Sequence, residues 1–364
     1  MLSPKAKRYF LQILPFGLIW FVFSLMYSLL EKGLLGDLLI YPATGNNYDF
    51  YKNILITPPF AMATGLLLGT LEVSYFKNLF KSKTILQKVS LKIFVYLGVV
   101  ICFLLALTIF VNYLELKTDL LDQRLWDQVL SFFTNFAFWS VVLFISVIIG
   151  ICLFYNEVSN NLGFGVLKNF ITGKYHRPIE EKRIFMFLDM KGSTTIAENI
   201  GHVKYFELLK DYYADLSDSV VEYGGEIYQY VGDEMVLTWS IKNGVRKNNC
   251  LKCFFSMKTA LQSQSEKYHT KFGVIPTFKA GFHFGEVTSG EIGEIKKDII
   301  HTGDVINTSA RIQGLCNSYK VDILLSGVMM SLLNLNGEYK SQRLGESDLR
   351  GRDQKIELHT IQEN

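Results

Sequence analysis

Two different patterns of apolar residues divide the chain. Before residue 156, four stretches close to 20 residues long carry almost no charge; they are residues 9–30, 54–76, 91–113 and 131–155. About 20 apolar residues cross the ~30 Å hydrocarbon core of a bilayer as an α-helix. A helix of a soluble protein needs a polar face, and residues 141–149 offer almost none. The pattern therefore predicts an all-α transmembrane domain of four helices over residues 1–155.

The second half alternates short strands with helices. The predicted elements, in order, are a strand Arg183–Leu188, one long or two short amphipathic helices after Thr194, a hairpin of Glu226–Val231 and Glu234–Ser240, a helix near Asn248–Gln264, strands Phe278–Glu291 and Ile299–Ile300, and a helix Val305–Leu315. Strand, helix, two strands, helix, strand is the order of the ferredoxin-like fold. We therefore predict a multi-domain membrane protein whose residues 183–364 form an α+β ferredoxin-like domain.

Residues 156–182 between these halves have a pattern of their own. Apolar residues recur there at helical spacing, namely Leu162, Val166, Leu167, Phe170 and Ile171. Gly173 and Pro178 then interrupt the pattern. We interpret the segment as an amphipathic coupling linker. Its helix either rests on the membrane surface or the second domain, or pairs with its copy in a dimer and transmits a signal.

Basic residues predict the orientation in the membrane, because positively charged loops stay on the cytoplasmic side. Lysines and arginines precede the first span and crowd the second connection, at Lys5, Lys7, Arg8, Lys77, Lys81, Lys83, Lys88 and Lys92. The other two connections are mixed or acidic. The pattern predicts a multi-pass protein of the plasma (inner) membrane, embedded in its lipid bilayer. Both termini and the second domain are then cytoplasmic.

Composition excludes some functions and leaves others open. The formal charge of +3 follows from the membrane-flanking lysines and indicates no nucleic-acid partner. No histidine precedes His176, which excludes a histidine-ligated haem within the spans. Gly65 and Gly69 form a GxxxG pattern, which either permits close helix pairing or occurs by chance. Glu72 either reaches interfacial water or takes part in binding or coupling, so a ligand of the membrane domain stays open.

Two aspartates carry the candidate chemistry of the second half. Asp189 ends a predicted strand, and Asp233 lies in the turn of the predicted hairpin. This placement brings two carboxylates together, and like charges a few Å apart need protonation or a cation between them. Carboxylates that share a site with substrate phosphates suit Mg²⁺. The pair therefore predicts a two-metal phosphoryl-transfer site.

Three ordered segments, FLDMKGST, GGEIYQYVGDEM and HTGDVINTSARIQ, resemble the catalytic segments of class III adenylate/guanylate (nucleotidyl) cyclases. The resemblance runs from about Arg183 to the C-terminus. It implies that Asp189, Asp233 and the backbone carbonyl of Met190 hold two Mg²⁺ or Mn²⁺ ions. It also implies that Gly192, Ser193 and Thr194, at a helix start, bind phosphates of the nucleotide.

The same resemblance assigns roles on a later helix. Asn307 and Arg311 are four residues apart and share a helix face. By resemblance, Asn307 orients the ribose and Arg311 stabilises charge on the α-phosphate, both for the metal pair of the other subunit. A chain with one such domain then forms a homodimer. Arg350 or Arg352 matches the basic segment that binds the terminal phosphates.

The nucleotide base is the least determined part of the substrate. The positions that select the base in the family hold Gln229 and Ile300, which depart from the usual pair. A glutamine amide has a donor and an acceptor end and can match adenine or guanine. We predict a signalling adenylate cyclase that converts ATP to 3′,5′-cyclic AMP and pyrophosphate. A guanylate or other nucleotidyl cyclase, a diguanylate cyclase and a catalytically inactive membrane receptor are the alternatives.

Overall fold

The computed structural model describes residues 3–40, 48–76, 79–80, 83–116, 122–163, 165–335, 337–349 and 354–364. The chain divides into two compact units. One unit comprises Arg8–Leu162, and the other comprises Gly163–Asn364 together with the N-terminal residues up to Lys7.

The described residues of the first unit fold mainly into helices. Its helices are α1 (Pro4–Leu35), α2 (Phe50–Leu71, continued by a π-helical turn, Glu72–Phe76), α3 (Ile85–Leu116), α4 (Gln123–Thr134) and α5 (Phe136–Leu162). By length and composition, α1, α2 with its π-helical turn, α3 as far as Phe110, and α5 are suited to cross a membrane. The prediction of four long apolar helices is therefore confirmed.

The connection between the third and fourth apolar helices differs from the prediction. The stretch predicted to begin at residue 131 contains a helix break at Asn135, whose backbone is extended. The Asn135 side chain accepts a hydrogen bond from the backbone N–H of Ala137 at 2.8 Å, which caps the start of α5. Before the break, α4 is amphipathic and buries Leu125 and Val129. Apolar content alone did not separate these two helices.

The glycines of the GxxxG pattern pack against α1 within the same chain. A Cβ atom added at Gly65 would lie 2.7 Å from the carbonyl oxygen of Phe16 and 2.8 Å from the Trp20 ring. One added at Gly69 would lie 3.0 Å from Phe16. Both glycines are needed for the close approach of α1 and α2. The GxxxG pattern of α2 therefore serves helix packing within one chain.

A cluster of ionisable side chains is buried between α2, α3 and α5. Glu72 and Lys92 are 0% and 1% exposed, and the Lys92 ammonium donates to Glu72 Oε1. The Tyr96 hydroxyl donates to Glu72 Oε2 at 2.8 Å. Glu157 on α5 lies 3.7 Å from Lys92 and 3.4 Å from Lys88. Glu72 therefore does not reach water at the membrane surface but is held by a neighbouring helix.

Replacing Lys92 by methionine is expected to destabilise the helical unit by about 3–5 kcal/mol, because it leaves the Glu72 charge buried without its cation. A Glu72→Gln/Lys92→Met double variant should recover much of this loss. The matched control is Lys52→Met, since Lys52 forms an exposed pair with Asp49 and such pairs contribute about 0–1 kcal/mol. Thermal unfolding of the full chain in detergent measures all three. Equal midpoints for Lys92→Met and Lys52→Met would contradict the expectation.

The second unit contains eight strands and eight further helices among the described residues. The strands are β1 (Ile179–Met190), β2 (Glu226–Val231), β3 (Glu234–Ser240), β4 (Phe278–Ile292), β5 (Asp298–Thr302), β6 (Ile323–Ser326), β7 (Tyr339–Ser347) and β8 (Ile356–Glu363). The helices are α6 (Val166–Thr172), α7 (Ser193–Ile200), α8 (His202–Glu222), α9 (Ile241–Gly244), α10 (Asn249–Ser263), α11 (Ser265–Phe272), α12 (Asp304–Tyr319) and α13 (Gly327–Met330).

These strands form one sheet in the order β2-β3-β1-β4-β6-β8-β7, with β5 paired to β4. The first four are antiparallel neighbours and enclose a ferredoxin-like core with α8 and α10, as predicted. Strand β6 then joins β4 in parallel, and β8 and β7 extend the sheet beyond it. The predicted fold class is confirmed, while β6, β7 and β8 were not predicted.

The structure shows where two of the predicted helices end. The helix after Asp189 is two helices, α7 and α8, separated by Gly201, which has a positive φ of 81°. Helix α5 continues to Leu162, so the first residues of the predicted linker extend the last apolar helix. The limits proposed for the three domains stay a prediction.

Helix α12 lies directly on the sheet. A Cβ atom added at Gly281 of β4 would lie 2.2 Å from the backbone nitrogen of Gln313 and 2.7 Å from the carbonyl oxygen of Ser309. Only glycine allows this approach. Because Gly281 pairs with Phe187 of β1, the contact fixes α12 two residues from Asp189. The helix and the end of β1 are thus placed relative to each other by close packing.

Candidate active site

The two predicted carboxylates lie side by side. Asp189 pairs with Glu234 in the antiparallel β1–β3 ladder, and Asp233 is the residue just before Glu234 in the β2–β3 turn. Burial and the nearby Asp233 carboxylate raise the pKa of Asp189, although Lys279 opposes the effect. The sequence expectation that these two side chains meet therefore agrees with the geometry.

Two further side chains hold Asp189, and sequence reasoning missed both. Gln313 of α12 donates from Nε2 to Asp189 Oδ2 at 3.1 Å. The Lys279 ammonium lies 3.3 Å from the same oxygen, opposite Asp189 in the β1–β4 register. Gln313 is six residues after Asn307 within a quoted motif, and Lys279 is the second residue of β4. Neither position shows from spacing alone that it reaches a carboxylate on another strand.

Tyr213 of α8 holds the turn that carries Asp233. Its hydroxyl lies 2.9 Å from the carbonyl oxygen of Gly232 and 3.3 Å from that of Glu234, and it can donate to either. Its ring packs against that of Tyr230, with 4.5 Å between centroids. From the sequence, Tyr213 was predicted only to lie on the apolar face of the helical segment after Thr194. The structure shows that it also fixes the backbone on both sides of Asp233.

The side chains of this site would supply only some of the ligands of a divalent cation. Burial and the charges of Asp189 and Asp233 raise the pKa of Glu234, so this carboxylate lies near the pair. Within the described residues, however, no three side chains among His, Cys, Asp and Glu are arranged to hold a metal ion. Two carboxylates, with a backbone carbonyl nearby, suit a divalent cation that also takes oxygens from a phosphate ligand. The Met190 side chain is buried, which leaves its backbone for this use.

The predicted phosphate-binding segment lies next to the carboxylates in the chain. Gly192 has a φ of 66° and precedes α7, and Ser193 and Thr194 form the first turn of that helix. The first backbone N–H groups of a helix are unpaired, and they attract anions. The preceding Lys191 is turned aside, because its ammonium bonds the Asp322 carboxylate.

Asn307 and Arg311 face away from their own aspartate pair. Residues of α12 are about 100° apart around the axis, so Arg311 and Gln313 point about 200° apart. Gln313 reaches Asp189, whereas Arg311 is partly exposed and Asn307 is exposed. No hydrogen bond or ion pair of either side chain occurs within the described part of the chain. The structure brings these two residues to one face but not to the carboxylates of the same chain.

The two predicted base-selecting residues lie on strands that touch. Gln229 is exposed on β2, and Ile300 is partly buried on β5. Their neighbours Tyr228 and His301 are in contact, with 4.9 Å between ring centroids, and the His301 backbone N–H donates to the Tyr228 hydroxyl at 3.2 Å. Burial and the charge of Arg183 lower the pKa of His301 to about 4, so its ring is neutral at pH 7.

The remaining predicted substrate residues, Arg350 and Arg352, lie outside the described residues. In the sequence they lie between β7, which ends at Ser347, and β8, which begins at Ile356.

The fold and the site together define an α/β domain of the nucleotidyl cyclase class, built on a ferredoxin-like core with a carboxylate pair. Residues 176–363, just over half of the chain, match the adenylate and guanylate cyclase catalytic domain. The chain therefore belongs to this family, which confirms the family predicted from the three motifs.

Individual relatives agree with this assignment. Adenylate cyclase 2 of Rhizobium meliloti (strain 1021) is 33% identical over 212 residues, which are 58% of this chain and 58% of that protein. An adenylate cyclase of Anabaena cylindrica is 26% identical over 183 residues, 48% of this chain and 36% of its own length. A solved bacterial light-regulated adenylyl cyclase shares the fold, with a TM-score of 0.52 and 17% identity over 59% of this chain and 63% of that one. The chain thus matches less than two thirds of the length of each.

Proposed function

We propose that this chain is a membrane-anchored adenylate cyclase that converts ATP to 3′,5′-cyclic AMP and pyrophosphate for signalling. The observation that carries the proposal is the strand register that places Asp189, at the end of β1, beside Asp233, in the β2–β3 turn of a cyclase-family domain. The relatives named adenylate cyclases support ATP as the substrate. Gln229 and Ile300 do not discriminate by themselves, so a guanylate cyclase is the second candidate.

The aspartate pair fits divalent cations. Its mutual repulsion in a half-buried place raises the pKa of Asp189, and a cation between the carboxylates would remove that repulsion. Asp189, Asp233 and the Met190 carbonyl would hold two Mg²⁺ or Mn²⁺ ions. When bound, such ions activate the attacking hydroxyl and stabilise the charge of the phosphates.

The residues of this chain would place ATP for an in-line reaction. The N–H groups of Gly192, Ser193 and Thr194 would bind phosphate oxygens, and Arg350 or Arg352 would bind the terminal phosphates. Asn307 would orient the ribose, and the Arg311 guanidinium would stabilise negative charge at the α-phosphate. The ribose 3′-oxygen loses its proton to solvent and bonds the α-phosphorus as the bond to the pyrophosphate oxygen breaks. Positioning of the reacting groups would supply the rate enhancement, and we assign no side-chain base.

A homodimer would complete the site. Arg311 and Asn307 point away from the carboxylates beside which their own helix lies, so the site of one chain lacks its charge-stabilising arginine. Two copies related by a two-fold axis would each supply the α12 face to the other's aspartate pair. This arrangement yields two equivalent composite sites.

The location proposed for the chain follows from its apolar helices and charge pattern. Four helices long and apolar enough to cross a bilayer precede the catalytic unit. Lysines concentrate beside the first span and in the second connection, which favours cytoplasmic termini and a cytoplasmic catalytic unit in the plasma membrane. ATP is available on that side. A ligand of the helical unit would regulate the enzyme from within or across the membrane.

Product identification tests the proposal. Purified full-length protein is incubated with ATP, GTP, CTP or UTP and either Mg²⁺ or Mn²⁺, and products are identified by mass spectrometry. We expect 3′,5′-cyclic AMP and pyrophosphate in equal amounts. Cyclic GMP alone would establish the second candidate. Cyclic di-GMP would indicate a diguanylate cyclase, and the absence of product with every nucleotide would indicate an inactive receptor.

A further inference from the structure

The side chain of Gln313 contacts Asp189, one of the two candidate metal ligands. Gln313 is 6% exposed, and its amide donates to Asp189 Oδ2 at 3.1 Å. Lys279 approaches the same oxygen at 3.3 Å. Gln313 and Lys279 thus approach the same carboxylate oxygen of Asp189.

The backbone of Gln313 is held as firmly as its amide. The helix lies against Gly281, whose added Cβ would come within 2.2 Å of the Gln313 nitrogen and 2.6 Å of its Cα. The Cα atom of Gln313 is therefore fixed beside Gly281, whose partner on β1, Phe187, is two residues before Asp189. A ligand carboxylate held by a donor on a rigid helix keeps one orientation.

The chemistry of an amide suits this place. The carboxylates of Asp189, Asp233 and Glu234 outnumber the Lys279 ammonium, so the site has a negative charge that attracts cations. A second cationic donor at position 313 would reduce that charge. An amide donates a hydrogen bond and adds no charge.

We propose that Gln313 is a positioning residue that orients Asp189 for divalent cations. By holding Oδ2, its amide would keep the Asp189 carboxylate in one orientation for cation binding while preserving the negative charge of the site. This inference rests on the proposed function for its meaning, but it concerns cation binding and can be tested without turnover.

The test measures Mn²⁺ binding to the full-length protein by electron paramagnetic resonance, with Mn²⁺ alone and with Mn²⁺ plus pyrophosphate. Gln313→Met keeps the length of the side chain without the donor, and Gln313→Asn keeps the amide but is too short to reach. Both variants are expected to weaken Mn²⁺ binding about tenfold. The same shift should appear in the Mn²⁺ concentration for half-maximal activity, with part of the rate recovered at high Mn²⁺.

Ser309→Ala is the matched control. Ser309 is buried on the same face of α12, and its hydroxyl donates to the carbonyl oxygen of Val305 one turn earlier. This variant should bind Mn²⁺ like the parent. If the Gln313→Met and Gln313→Asn proteins also bind Mn²⁺ like the parent, Gln313 only packs and the inference is overturned. If the parent binds Mn²⁺, the variants bind it more weakly and no nucleotide is cyclised, the inference stands and the proposed function falls.

Discussion

Asp233→Ala is expected to lower cyclic nucleotide formation by about 10³-fold or more, which corresponds to about 4 kcal/mol of lost transition-state stabilisation. The reason is that Asp233 supplies one of the two carboxylates of the proposed cation site. The fold should survive, because Asp233 lies in a turn whose backbone is held by the Tyr213 hydroxyl. Steady-state product formation and thermal unfolding of the full-length variant measure the two effects.

Asp218→Ala is the matched control for this experiment. Asp218 is exposed on α8, and no ion pair or hydrogen bond of its side chain occurs in the part of the chain that the structure describes. Its replacement should change neither activity nor unfolding. An Asp233→Ala protein as active as Asp218→Ala would remove the aspartate pair from the reaction, and the assignment of the site would fail with it.

Mixing two inactive variants should restore activity if the site is shared between subunits. Arg311→Ala and Asp233→Ala are each expected to be nearly inactive as homodimers. Co-expression in equal amounts makes half of the dimers heterodimers, each with one intact site and one site lacking both groups. Product formation should then recover to about one quarter of the parent level. The physical basis is the opposite direction of Arg311 and Gln313 on α12.

Two other pairs control for this result. Asp189→Ala with Asp233→Ala, and Asn307→Ala with Arg311→Ala, each damage the same half of the site, so co-expression should restore nothing. If Arg311→Ala with Asp233→Ala also fails to exceed the sum of the separate activities, each chain builds its own site. The proposed homodimer would then have no catalytic role.

The ferredoxin-like core could be predicted from the sequence because its signals are local. Alternating apolar residues and a Gly-Asp turn predicted the hairpin Glu226–Val231 and Glu234–Ser240, and the structure has the same bounds. Strands β6, β7 and β8 were missed. Strand β6 is four residues long, and the β7–β8 pair is irregular between Arg343 and Gly345. Such short or irregular strands are specified mainly by their neighbours in the sheet.

In the membrane half, too, features with local signals could be predicted and contacts between helices could not. Length and apolar content predicted its four long helices, since any helix that crosses a bilayer needs them. The partner of Glu72 was not predictable, because Lys92 is 20 residues away on another helix. The use of Gly65 and Gly69 against α1 was equally hidden, since a GxxxG pattern does not name the helix that it faces.

In the candidate site, residue type and motif order by themselves determined which side chains to consider: Asp189, Asp233, Asn307 and Arg311. Only the tertiary structure decided how they are grouped. Sheet register joined the two aspartates, and close packing at Gly281 brought Gln313 to Asp189 while turning Arg311 away. Contacts between residues far apart in sequence depend on register and packing, which a linear pattern does not contain.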